Sequence, residues 1–381
     1  MADSTSKAEK DLATLKSTVT TISTLITQLQ TTASSTDAKG VEKDSNVNAL
    51  DLAHDTASLI KAHSTKLSLL IINKPFTATA ITTVLRELIS GPLPGLASSI
   101  EICNAVKYTK AMSEELQWRA KKLFTELGAL ITAIPLDGKV LNEEQKNGSL
   151  AEGKGSLAAT GTVWEACDKI MELKTMGVGG LCIKKAEEYR DLVKDALEEL
   201  QEWGEEESSD NEDEDDEAAG SADEEGAGIS AQDAVDEMFA SQHHIPSADP
   251  EKIRPRLESS LKRIRLVALM YAAVIKRRFK TLPYLPHPSL PPELKAKSDE
   301  DPGIVSCLDE VLDLLKKIPD ITDELANAFY ELDSQEIDKR MSECFFTAFS
   351  AVQLLITNWE GQKDEFSTWA YKFQIAMNKG W

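Results

Sequence analysis

Trp164, Glu165, Cys167 and Asp168 fall within five positions of one another, and a thiol between two carboxylates and an indole invites comparison with a nucleophilic site. Thiolate chemistry needs a histidine or a cationic setting to remove the thiol proton. The string TGTVWEACDKIMELK (160–174) contains no histidine, and Glu165 and Asp168 disfavour a thiolate by like charge. Trp164, Cys167 and Met171 share a face at helical spacing, with Val163, Ala166 and Ile170 beside them, so packing is the expected role. Thr162 followed three residues on by Glu165 reads as a capping box that opens the helix, with Gly161 supplying its tight start.

The other reactive side chains are scattered. His54 and His63 are too far apart on one helix to chelate jointly, His243 and His244 sit in the loop-like SQHHIPSADP, and His287 is isolated. Cys103, Cys167, Cys182, Cys307 and Cys344 are odd in number and never form a C-x-x-C pair, which fits a reducing compartment and argues against structural zinc. Phosphate-cradling glycine loops, a nucleophile elbow and H-E-x-x-H are all missing. No catalytic residue, cofactor or metal ligand is expected.

The elements that would carry these residues are helical. Leu12, Leu15, Val19, Ile22, Ile26 and Leu29 step by threes and fours, which predicts a helix near 5–33. Similar stripes predict helices near 45–73, after Pro75, through Met112–Ile134, and through Ala186, Val193, Leu200 and Trp203. GPLPG (91–95) should break the third of these, and the polar stretch 137–155 reads as a loop. Later stripes predict helices near 230–241, up to Lys280, near 303–318 and 321–332, and through Ile337–Trp359, with Phe366–Met377 completing the pattern. Strand alternation is nowhere sustained, so the expected fold class is all-α: two antiparallel helical bundles.

Charge supplies the boundary. The net charge is −22, and 13 acids lie between Glu205 and Glu225, more than half of the excess. GEEESSDNEDEDDEAAGSADEEGAG (204–228) buries too little apolar area to offset chain entropy, so the expected division is a bundle over 1–203, a disordered acidic linker over 204–228 and a bundle over 229–381. The tract reads as a solvating linker, as a substrate of acidophilic kinases at Ser209 and Ser221, or as a ligand for a basic surface, including the chain's own. A strongly negative chain is repelled by nucleic acid phosphate and by anionic membranes, so protein partners are expected, without direct nucleic acid or membrane contact. Residues 1–19 lack the apolar core of a secretory signal, and the longest apolar run, Leu266–Ile275, is ten residues, about half of what spans a bilayer.

Two segments offer binding motifs. Between Glu251 and Lys280 there are ten Lys or Arg and two acids; Lys262, Arg263, Lys276, Arg277 and Arg278 have the spacing of a bipartite nuclear import signal, while Lys262, Arg265, Lys276 and Lys280 also fit the solvated face of one helix. KTLPYLP places Lys280, Leu282, Pro283, Leu285 and Pro286 in the register of a polyproline ligand for an SH3 domain, or of a rigid linker.

GPLPGLASSIEIC (91–103), ELQWRAKKLFTEL (115–127), TGTVWEACDKI (160–170) and YRDLVKDALEELQEW (189–203) resemble the amino-terminal region of the cyclin-D-interacting, or GCIP-type, family, and the acidic linker continues the likeness. The resemblance implies a non-catalytic regulator of cell cycle and transcription in nucleus and cytoplasm, binding cyclin or helix-loop-helix partners, with a fold similar to the bundles of talin and vinculin. The alternative such a fold allows is a cytoskeletal or signalling adaptor with actin or an SH3 domain as partner. Cyclin-type R-x-L strings occur at Arg86–Leu88 and Arg190–Leu192, both in predicted helices where the leucine is expected to face the core. Oligomeric state is not legible.

Overall fold

Stripes of apolar residues leave water by packing helix on helix, and the computed structural model is built in that way. It describes residues 2–32, 47–149, 153–205, 244–246, 248–286 and 303–378. Among the described residues the only β pairing is a two-residue ladder, Gly148–Ser149 with Gly153–Lys154, and no helix is long and apolar enough to cross a membrane. The chain divides into two compact units, Met1–Leu181 with Pro283–Asp309, and Cys182–Leu282 with Glu310–Trp381.

The first unit contains α1 (Ala2–Thr32), α2 (Ala49–Ile72), α3 (Ala78–Ser90), α4 (Pro92–Ile102), α5 (Ala105–Tyr108), α6 (Lys110–Thr132), α7 (Glu143–Asn147) and the leading part of α8 (Ser156–Glu205). Helix α1 packs on α3 and α6, and α2 on α3 and α4. Leu15 and Ile22 on α1 and every apolar position predicted from Met112 to Ile134 are buried. The Gly91–Pro92 step ends α3 and starts α4 with proline at a first-turn position, where its missing N–H costs nothing. The stretch read as a loop contains α7, started by a capping box between Asn142 and Gln145.

The second unit is formed by the trailing part of α8, α9 (Ile253–Arg277), a 3-10 turn at Phe279–Thr281, most of α10 (Ile304–Tyr330), α11 (Ser334–Leu354) and α12 (Glu365–Asn378). Helix α9 packs on α11 and α12. Residues 182–203, expected in the first bundle, pack here. Gly177 leaves the helical region at φ 61°, ψ −175°, and beyond it Trp203 meets Tyr330 edge-on at 5.4 Å. The helices expected at 303–318 and 321–332 are one helix with Pro319 inside it, and the long helix through Trp359 ends at Leu354.

Candidate interaction surface

Cys167 has no access to water. Burial, and then the Asp168 charge, push its thiol up to about 12, against a smaller opposing effect of Lys61, a setting that disfavours the thiolate. Its helix begins earlier than the sequence suggested. Helix α8 starts at Ser156, and Thr162, inside it, donates its hydroxyl back to the Ala159 carbonyl at 2.9 Å and caps nothing. The buried face is Val163, Ala166, Cys167, Ile170 and Leu173. Trp164 lies at its margin, 38% exposed.

The neighbours of this segment fix its orientation. Down one side it runs antiparallel to α2: Thr160 donates to the Ser68 hydroxyl at 3.0 Å, the Trp164 indole N–H to the Thr65 hydroxyl at 3.0 Å, Lys61 to Asp168 at 2.6 Å, and Lys174 pairs with Asp51 at 3.0 Å. Along the other, Arg119 of α6, only 3% exposed, binds the Lys169 carbonyl and reaches Glu172 at 3.4 Å. Between these two seams the outer face of α8 stays open. It carries Leu157, 45% exposed, and a shallow depression of about 430 Å³ lined by Gly161, Trp164, Glu165, Asp168, Lys169 and Glu172. An apolar strip with an acidic border suits a partner that offers apolar and basic side chains on one face. Sequence spacing placed Trp164 with the core; the hydrogen bond to Thr65, which turns the ring outward, is 99 residues away in the chain and leaves no local signal.

The remaining sequence motifs fall in varied settings. Of the import-signal residues, Lys262 and Lys276 are exposed and Arg277 is half-buried. Arg263 and Arg278 are buried, at 3% and 0% exposure. Arg278 forks onto Asp364 at 2.8 and 2.9 Å, donates to the Leu355 carbonyl at 2.8 Å and covers the Phe366 ring at 4.3 Å. An import receptor reading an extended string would first have to unfold α9. In the SH3-like stretch Lys280 is exposed, Leu282, Pro283 and Pro286 are half-buried, and Leu285 is 5% exposed. Leu88 is buried as expected of an R-x-L string in a helix core, whereas Leu192 is 52% exposed, contrary to that expectation. Ser209 and Ser221, the acidic tract from residue 206 on, and the helix expected at 230–241 lie outside the described residues. No group of three or more His, Cys, Asp or Glu is placed to hold a metal ion among the described residues.

Comparison with known proteins agrees with the residues singled out above. A protein of Schizosaccharomyces pombe (strain 972 / ATCC 24843), described as uncharacterized, is 23% identical over 340 residues, covering 88% of this chain and 87% of its own length. Residues 53–206 match the family model described as Grap2 and cyclin-D-interacting, N-terminal. This span runs from α2 to the end of α8 and contains all four resembling segments. Over residues 53–206 the chain is therefore similar to the N-terminal domain of the Grap2 and cyclin-D-interacting family.

Proposed function

We propose that the protein is a non-catalytic interaction regulator of cell cycle and transcription that binds, and so sequesters, a D-type cyclin or a helix-loop-helix protein, and that it works in both nucleus and cytoplasm. The observation that carries this reading is the family match over residues 53–206. The outer face of α8 lies inside the matched span and supplies a plausible seat: Leu157 and Trp164 stand exposed along one stripe, bordered by Glu165 and Asp168. A partner helix laid along that stripe would bury both apolar side chains.

Calorimetry with the purified full chain and a D-type cyclin tests the reading. Binding should weaken about tenfold or more in Leu157→Ala/Trp164→Ala, the usual scale for losing an aromatic anchor, and a thermal scan checks that the variant, which also loses the Trp164–Thr65 hydrogen bond, is still folded at the temperature of the titration. Absence of binding to D-type cyclins and helix-loop-helix proteins, together with co-sedimentation with actin filaments, would replace the regulator by the adaptor.

A further inference from the structure

Charge is spread unevenly over the second unit. From Cys344 to Trp359 (CFFTAFSAVQLLITNW) no residue is charged, and from Phe366 to Asn378 only Lys372 is, in a chain of which 28% of residues are charged and whose net charge is −22. These two stretches supply the second half of α11 and all but the first residue of α12, which pack on each other. Their outer surfaces are apolar where a solvated helix pair would be polar. Phe346 is 71% and Leu354 38% exposed on α11, Tyr371 is 64% and Ile375 41% exposed on α12, and Phe349 and Trp369 are half-buried. Phe346, Phe349 and Gln353 share one stripe of α11, and Tyr371, Gln374 and Ile375 occupy neighbouring positions of α12. The Gln374 amide donates to the Gln353 side-chain oxygen at 3.0 Å, which joins the two stripes into one surface. Depletion of charge with enrichment of aromatic residues is the composition of an interface core.

We propose that this face docks a second copy of the chain, α11 and α12 of one molecule meeting α11 and α12 of the other about a two-fold axis. The occupant follows from charge. Of the acids that flank the two stretches, Glu343, Asp364 and Glu365 already engage Arg340, Arg278 and Arg277, and Glu360 lies in the turn between the helices, so a basic partner finds little to pair with. An acidic partner meets Lys372 alone. Two copies that each carry −22 repel, and they approach at least cost where neither presents acids. Aromatic rings and a glutamine amide, which carries both donor and acceptor, are also complementary to themselves, whereas a charge is not. Helix α12 has 14 residues, so the face is about 21 Å long and, across two helices, about 20 Å wide. That size is at the low end of specific complexes, which bury about 800 Å² per partner, and a dimer that dissociates in the micromolar range is expected. The surface lies outside residues 53–206, so it stands or falls apart from cyclin binding.

The test is sedimentation velocity of the full chain over a concentration series from about 1 to 100 μM. The average mass should climb from that of one chain toward that of two. Raising salt from roughly 50 to 500 mM should tighten the dimer severalfold, because screening removes the repulsion between two negative molecules. Phe346→Ser/Tyr371→Ser should raise the dissociation constant about tenfold or more; both side chains are mostly exposed in the single chain, and a thermal scan checks that the variant folds. Thr368→Glu, at an exposed position one turn before Tyr371, inserts a carboxylate into the face while leaving the apolar side chains in place, and should weaken the dimer as well. A monomer at every concentration and salt overturns the proposal. So does a dimer that weakens as salt rises, or one that both variants leave unchanged.

Discussion

The Tyr271 hydroxyl donates to the main-chain carbonyl of Leu315 at 2.6 Å, both groups buried. Leu315 is four residues before Pro319, and the carbonyl four residues before a proline is the one a helix leaves without its N–H donor. The side chain of α9 thus supplies the bond that the backbone of α10 cannot, which explains how a single helix runs from Ile304 to Tyr330 with proline inside it.

Tyr271→Phe should therefore cost about 1–3 kcal/mol, the range for stranding a buried acceptor, seen as a lower urea midpoint with an unchanged slope. Pro319→Ala restores the backbone donor, so the same Tyr→Phe change made in a Pro319→Ala background should cost clearly less. Equal costs in the two backgrounds would separate the hydroxyl from the proline.

Arg278 and Asp364 predict a pH effect. The guanidinium fork, and then the Ser367 amide, hold the Asp364 carboxyl well below its ordinary 3.8, against some desolvation. A depressed folded pKa adds stability that is complete above the unfolded value and is lost as pH falls toward the folded one. Asp364→Asn should cost about 2 kcal/mol near pH 7, less than the roughly 3–5 kcal/mol of a wholly buried pair, because the carboxylate side chain remains 35% exposed. The gap between the two proteins should narrow steadily below about pH 4. A gap that stays constant down to pH values near 2 would show that the ionised carboxylate does not matter.

Thiol reactivity follows burial. Cys103, Cys167 and Cys344 are all pushed up to about 12 by desolvation, whereas Cys307 is only half-buried. Iodoacetamide applied to the native protein near pH 8 should label Cys307 first and reach Cys167 only with denaturant, as peptide mass mapping would reveal. Labelling of Cys167 as fast as Cys307 would reopen the case for a reactive thiol.

Helix existence and inward faces were legible because period and burial are the same physical fact: Met112, Leu116, Ala120, Leu123, Leu127 and Leu130 repeat at helical spacing and are all fully buried. Two kinds of information were not local. Arg278 read as part of an import signal because its partners Leu355 and Asp364 are 77 and 86 residues away, and Pro319 looked like a boundary because its compensation comes from Tyr271. Trp164 was assigned to the core for the same reason. The candidate surface on α8 was not legible, because spacing read 160–174 as packing and which of its side chains faces water depends on the distance between α2 and α6.

The glycines of α8 separate local from long-range causes most cleanly. Gly161 and Gly177 both have open space where a Cβ would stand, so neither alanine variant creates a clash and only backbone conformation distinguishes them. Gly161 lies inside regular helix, and Gly161→Ala should stabilise by about 0.5–1 kcal/mol through reduced freedom of the unfolded chain. Gly177 sits at φ 61°, ψ −175°, a region that side-chain-bearing residues avoid, and Gly177→Ala should cost on the order of 1–3 kcal/mol. Opposite shifts of the denaturation midpoint are therefore expected from the same chemical change sixteen residues apart on one helix. Equal shifts in the same direction would mean that the break at Gly177 is not required by the fold, and that α8 can run straight through it.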